Sequence, residues 1–312
     1  MKLRLMLIAV VALCAASGAR AEEKLTILLD WFVNPDHGPI YVALERGYFK
    51  EQGLTVELIA PADPNDPPRL VAAGKGDLAV SYQPALHIQV GEGVPLKRIG
   101  TLVATPLNSL VVLRDGPIKT IADLKGKKIG FSLGGIEEAV LKQMLAKHGV
   151  SMKDVTMVNV NFSLSPSLMS GQVDAVIGAY RNFELNQLAL EGKPGRAFYP
   201  EDEGVPAYDE LIVVAHKDKT ADPRFRKFLD AVERGTLSLI NRPDEGWELF
   251  IKGRKDLDNE LNKRAWRDTL PRFAQRPAAL DTARYARFAA FLEKQGVIKK
   301  ALPVSDYAVE VK

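Results

Sequence analysis

Three aromatic side chains lie within two residues of runs that read as β-strands: Trp31 after residues 25–29, Tyr82 after 77–81 and Tyr180 after 175–178. A ring at a strand end offers a face for stacking a flat ligand, at centroid spacings of about 4.5–7 Å. Trp31 and Tyr180 are the pair expected to close on such a ring from opposite sides, with Tyr82 as the competing partner. Polar groups accompany them. Asp30 is a strand-end carboxylate, Asn34 and His37 lie in the turn that follows, and Asn182 and Glu184 open a helix expected over 182–190. Each has a purely structural alternative. Asp30 can satisfy N–H groups of the 34–38 loop, and Asn34 and His37 can form and cap a turn. Asn182 can be a helix cap, and Glu184 a first-turn acid favoured by the helix dipole. In Ser132-Leu133-Gly134-Gly135, a strand passes into a helix, and N–H groups at such a start, Gly135 among them, can hold an anion or a carbonyl oxygen. Glu137 and Glu138 in the first turn oppose an anion there.

No metal-protease or cofactor pattern accompanies these residues. The chain has no His-Glu-x-x-His motif and no cofactor fingerprint. No catalytic residue and no cofactor is therefore assigned. His87, His148 and His216 lack metal-ligand spacing, so no metal is expected. Cys14 is the one cysteine, which excludes a disulfide framework.

The elements that position these groups alternate. Strands are expected near 25–29, 55–60, 77–81, 98–103 and 109–113, with helices between the first three and the fourth. The alternation restarts at 128–131, with strands at 156–160, 175–178 and 211–215. From residue 222 onward the pattern is helical. The alternation predicts parallel α/β sheets with helices on both faces. The fold class expected is a two-lobe α/β architecture, type II-like, with the ligand cleft between the lobes. The strands at 109–113 and 211–215 are read as the two crossings. Lobe 1 is then 22–112 with 214–312, and lobe 2 is 113–213.

Residues 1–21 read as an export signal. Lys2 and Arg4 precede an apolar run over 5–16, and Ala19-Arg20-Ala21 is a small-x-small site, so cleavage is expected after Ala21. About 12 apolar residues are too few to span a bilayer. Cys14 follows Leu13 rather than a small residue, which argues against lipidation. The 312-residue chain carries 42 Lys+Arg against 39 Asp+Glu. Three of the bases lie in the first 21 residues, leaving 39 against 39, with no basic excess for nucleic acid.

The run from Leu29 to Gly38, continuing as Tyr41-Val42-Ala43 and Arg46-Gly47-Tyr48-Phe49, resembles the start of a known family. Gly76 to Tyr82, Ile121 to Gly130 and Gly178 to Glu184 support it. The resemblance is to the periplasmic substrate-binding proteins of thiamine-pyrimidine (formylaminopyrimidine) ABC transporters, a superfamily shared with thiamine-pyrimidine synthase. It spans about 25–311. The runs at 30–37 and 180–184 are the sharper ones, and nitrate and sulfonate binders share the scaffold. The resemblance implies a periplasmic protein that captures a small pyrimidine and delivers it to an ABC permease with its ATPase subunit. It implies Glu184 as acceptor for the pyrimidine amino group, and a formyl oxygen rather than a phosphate at the Gly135 turn. Asp30, Trp31, Asn34, His37, Tyr82, Gly135, Tyr180, Asn182 and Glu184 are the ligand-binding candidates. The synthase branch carries a Cys-rich motif that this chain lacks beyond position 14, which favours binding over synthesis. The alternatives are thiamine, another heterocycle, or a sulfonate or nitrate, and an enzyme of the synthase kind.

Overall fold

The computed structural model describes residues 22–312. The export-signal features at Lys2, Arg4, Cys14 and 19–21 lie outside the described residues. Ten strands occur among those described: β1 (Glu23–Leu28), β2 (Leu54–Ile59), β3 (Leu78–Ser81), β4 (Leu96–Val103), β5 (Asn108–Leu113), β6 (Lys128–Phe131), β7 (Thr156–Asn159), β8 (Ala175–Tyr180), β9 (Gly195–Phe198) and β10 (Leu211–His216). They form two five-stranded sheets, ordered β2-β1-β3-β10-β4 and β7-β6-β8-β5-β9. Each sheet is the floor of one lobe.

Neither sheet is wholly parallel. β1 pairs in parallel with β2 and β3, but β10 runs antiparallel to β3 and β4. In lobe 2, β6 pairs in parallel with β7 and β8, and β5 runs antiparallel to β8 and β9. The reversal has a topological cause. β5 and β10 are the strands with which the chain enters each sheet from the other lobe, so they arrive from the opposite end. Each lies wholly in one sheet. The expected lobe boundaries at 112/113 and 213/214 therefore fall inside β5 and β10. The chain passes between the sheets earlier, at 104–107 and 199–210.

The alternation that marked the strands is burial pattern. β3 is buried along its whole length, and β10 at every residue but His216. The helical tail returns to lobe 1. Asp222 caps the helix Pro223–Asn241 by accepting from the Arg224 N–H at 2.9 Å, with Pro223 at its first position. Phe225, Phe228, Leu229 and Val232 of that helix join the lobe-1 core with Ile40, Val42 and Phe49. Gly235 permits this close approach: a Cβ there would stand 2.3 Å from the Pro39 carbonyl oxygen. Lobe 2 has its core around Leu110, Ile129, Leu141, Met144 and Ile177, which Phe288, Leu292 and Ile298 of the tail also join. No helix among the described residues is long and apolar enough to cross a membrane.

A candidate ligand cavity between the lobes

The carboxyl ends of β1, β3, β6 and β8 converge on one space between the lobes, the usual place for a ligand in open α/β sheets. Asp30, Trp31, Asn34 and Asp36 line it from the β1 turn, and Tyr82 from the end of β3. Ser132, Leu133 and Glu137 face it from lobe 2, as do Gly178, Tyr180, Phe183 and Glu184. Glu210 and Tyr208 line it from the second crossing, and Asn108 from the start of β5. Five carboxylates thus line the cavity. No lysine, arginine or histidine side chain does.

The lobe-1 acid Asp30 is held by side chains. Tyr82 Oη donates to Oδ2 at 2.7 Å, and the His37 ring lies 2.9 Å from Oδ1 through Nε2. The Asn34 N–H donates to His37 Nδ1 at 3.3 Å, so the ring proton sits on Nε2 and points at Asp30. The Asn34 side chain accepts from the Asp36 N–H at 2.9 Å and caps the short turn Pro35–His37. His37 is fully buried behind Asp30 and does not line the cavity.

The three glutamates have backbone partners. Glu184 accepts from the Tyr180 N–H at 2.7 Å, and Glu137 from the Ser132 N–H at 2.8 Å. Glu210 accepts from the Leu107 N–H at 2.5 Å and the Asn108 N–H at 2.9 Å, tying the two crossings together; the Tyr180 hydroxyl donates to its other oxygen at 3.4 Å. Burial pushes all three up, Glu137 to about 8 and Glu184 and Glu210 to about 7, against the pull of those N–H groups. Asp36 is pushed up to about 6, by burial above all, while the Thr269 hydroxyl and Asn182 pull it down.

Four aromatic rings cover the space where the lobes meet. Trp31 lies edge-on to Phe162 with centroids 4.5 Å apart, and Phe32 stands 6.2 Å from Phe162 and 5.9 Å from Phe183. Trp31 and Tyr180 both line the cavity, but the ring that meets Trp31 from lobe 2 is Phe162. Tyr180 is the last residue of β8, which runs two residues beyond the expected end at 178.

Two other candidates lie away from this cavity. Asn182 does not open its helix, which begins at Glu184. Its Nδ2 instead donates to Asp36 Oδ1 at 2.6 Å and Thr269 Oγ1 at 2.7 Å, a buried tie between the lobes. Gly135 lines a neighbouring, more polar cleft with Arg69 and Asn65. Its N–H already donates to Glu138 Oε2 at 3.1 Å, and the Gly134 N–H to Asn65 Oδ1 at 3.3 Å. That helix start is capped by its own protein. Asp36, Asn108, Tyr208 and Glu210 line the cavity without having been singled out from the sequence, and Glu137, read only as a first-turn acid, lines it too. Among the described residues, no group of three or more His, Cys, Asp or Glu could hold a metal ion.

Comparison with known proteins gives the family context. The family described as NMT1/THI5 like matches residues 34–246. A Haemophilus influenzae protein named for thiamine biosynthesis is 55% identical over 292 residues, 93% of either chain. The formylaminopyrimidine-binding protein of Halalkalibacterium halodurans is 34% identical over 248 residues, covering 79% of this chain and 75% of that one. Among solved structures, the alkanesulfonate-binding protein SsuA of Xanthomonas axonopodis pv. citri superposes with a TM-score of 0.73 at 17% identity, over 93% of this chain and 99% of that one. The shared feature is the two-lobed α/β binding-protein fold.

Proposed function

Because the chain belongs to the NMT1/THI5-like family, we propose that it captures a thiamine-precursor pyrimidine, N-formyl-4-amino-5-aminomethyl-2-methylpyrimidine, as the periplasmic solute-binding component of an ABC importer. The observation that carries this reading is the lining of the cavity: aromatic faces and five carboxylates, with no basic side chain. Such a lining suits a flat ligand that presents amino groups. It disfavours a sulfonate or nitrate, whose charge would meet carboxylates and no cation. Trp31 supplies a stacking face, and Glu184 accepts from the exocyclic amine. Asp30 and Tyr82 form a fixed wall, Asn34 shapes the turn that carries Asp36, and Tyr180 closes the floor. His37 and Asn182 act from behind, on Asp30 and on Asp36. Asn65 and Glu138 already satisfy the turn at Gly135, so the formyl oxygen is better served by the donors of Asn108 and Tyr208.

Binding without turnover is part of the proposal, since residues 22–312 contain no cysteine for the synthase-type motif. A closing motion of the lobes about 104–107 and 199–210 delivers the ligand to a permease. Titration calorimetry with the formylaminopyrimidine, thiamine and an alkanesulfonate tests the reading. Tight binding of the pyrimidine and none of the sulfonate is expected. Sulfonate binding with no pyrimidine binding would overturn it, and product formed from the pyrimidine would move the protein to the enzymes.

A further inference from the structure

Glu137 sits on the cavity wall in a socket built for one carboxyl group. It is 2% exposed, and the Ser132 N–H donates to its Oε2 at 2.8 Å. Its Oε1 lies against Gly178, 2.0 Å from where a Cβ on that residue would stand. Gly178 falls at a register shift between β5 and β8, where Ser109 faces Ala179 and Leu110 faces Ile177, and it has φ +92°. The bulge frees the Gly178 N–H to donate to Asn108 Oδ1 at 3.0 Å. A side chain at 178 would strain the backbone and expel the carboxyl group.

The groups that face Glu137 are acidic or neutral. Glu184 faces it from the helix after β8, Glu210 from the crossing before β10, and the Tyr82 phenol from the end of β3. Glu138, on its own helix, is turned to the Gly135 N–H. No cation lines the cavity to balance three carboxylates in so dry a space, and full ionisation of such a group is opposed by both burial and mutual repulsion.

We infer that Glu137 meets the ligand as a neutral carboxylic acid, donating its proton in a hydrogen bond to an acceptor atom of the heterocycle while Glu184 accepts from the amino group. The inference rests on the heterocycle reading above and narrows it. The ligand class becomes rings that carry an acceptor beside an amino donor, and a polyamine, which has only donors, is excluded. Of the buried acids on this wall Glu137 is pushed highest, to about 8, so it is the one that keeps its proton at neutral pH. A buried acid held neutral for donation is an established device of binding and catalytic sites.

The test is calorimetric titration of the wild type and Glu137→Gln with N-formyl-4-amino-5-aminomethyl-2-methylpyrimidine across neutral and alkaline pH. The glutamine amide keeps a neutral donor at every pH. Wild-type affinity is expected to hold up to pH of about 8 and then fall by up to about tenfold per unit as the acid ionises. Glu137→Gln should bind within a few-fold of wild type at neutral pH and lose the alkaline fall. A loss of more than about tenfold (~1.4 kcal/mol) at neutral pH in a folded variant, or an alkaline fall that persists in it, overturns the inference. Should the variant not fold, the infrared carbonyl band of a protonated carboxyl in the wild-type complex decides, its absence overturning the inference. Failure of the wild type to bind the pyrimidine at any pH removes the heterocycle reading itself, and the inference with it.

Discussion

The two walls of the cavity hold their carboxylates in different ways. On the lobe-1 wall, Asp30 takes a side-chain donor on each oxygen, the Tyr82 phenol on one and the His37 ring on the other. On the lobe-2 wall, Glu137 and Glu184 take only backbone N–H groups. An acid whose oxygens are both spoken for is scaffolding, and replacing it leaves its donors stranded. An acid held by the backbone on one side retains capacity for a ligand, at the cost of sitting in an apolar space with no cation.

That contrast is broken or sharpened by experiment. The largest expected effect is the pH dependence of the ligand-free protein. Glu137, Glu184 and Glu210 are raised in the folded state above the ordinary carboxylate value of 4.5. The folded form therefore binds protons that the unfolded form has released, and stability is fully present below about pH 4 and declines as pH rises through 7 to 8. Urea unfolding should show a loss of several kcal/mol between mildly acidic and mildly alkaline pH. A stability that rises over that range would contradict the burial of these acids. The second effect is on the other wall. Asp30→Ala leaves the His37 and Tyr82 donors buried and unpaired, and should cost about 3 kcal/mol in unfolding free energy. Glu184→Gln, with its backbone bond kept, should cost far less; equal losses would erase the distinction between the walls. The smallest effects concern ligand affinity. Trp31→Ala should weaken every flat heterocycle by about 1–3 kcal/mol. Glu184→Gln should weaken amino-bearing pyrimidines by about 1.5–3 kcal/mol and spare des-amino analogues. Calorimetry with both ligand types separates them, and equal weakening by Glu184→Gln would reduce that residue to a helix-start acid.

The elements were legible because their signals are local. β6 falls at 128–131 as its apolar run indicates, and the helix Pro223–Asn241 is announced by Asp222 and Pro223. β9 was not foreseen: Gly195–Phe198 is a four-residue edge strand, half-buried throughout, with no apolar alternation to mark it. The site divides in the same way. Trp31, Tyr82, Tyr180 and Glu184 were visible as residues at strand ends and helix starts, and all line the cavity. Asn182 read as a local cap, yet its partners Asp36 and Thr269 lie 146 and 87 residues away. Glu137 read as a first-turn acid opposing an anion. Its burial depends on Gly178, a glycine in a strand, which is the one signal that could have pointed to a close approach there. Glu210 carries no local mark, because its partners at 107 and 108 belong to the other crossing.

The place of β10 in the lobe-1 sheet bears on the order in which the chain can fold. β10 is an interior strand, seated between β3 and β4, yet more than a hundred residues separate it from either. Until residues 211–216 arrive, β3 and β4 have no partner between them, and each presents an open edge. The lobe-2 sheet draws all its strands from the contiguous stretch 108–198, although Phe288, Leu292 and Ile298 of the tail complete its core. Loop-closure entropy thus weighs more on the strand pairing of the first sheet than on that of the second.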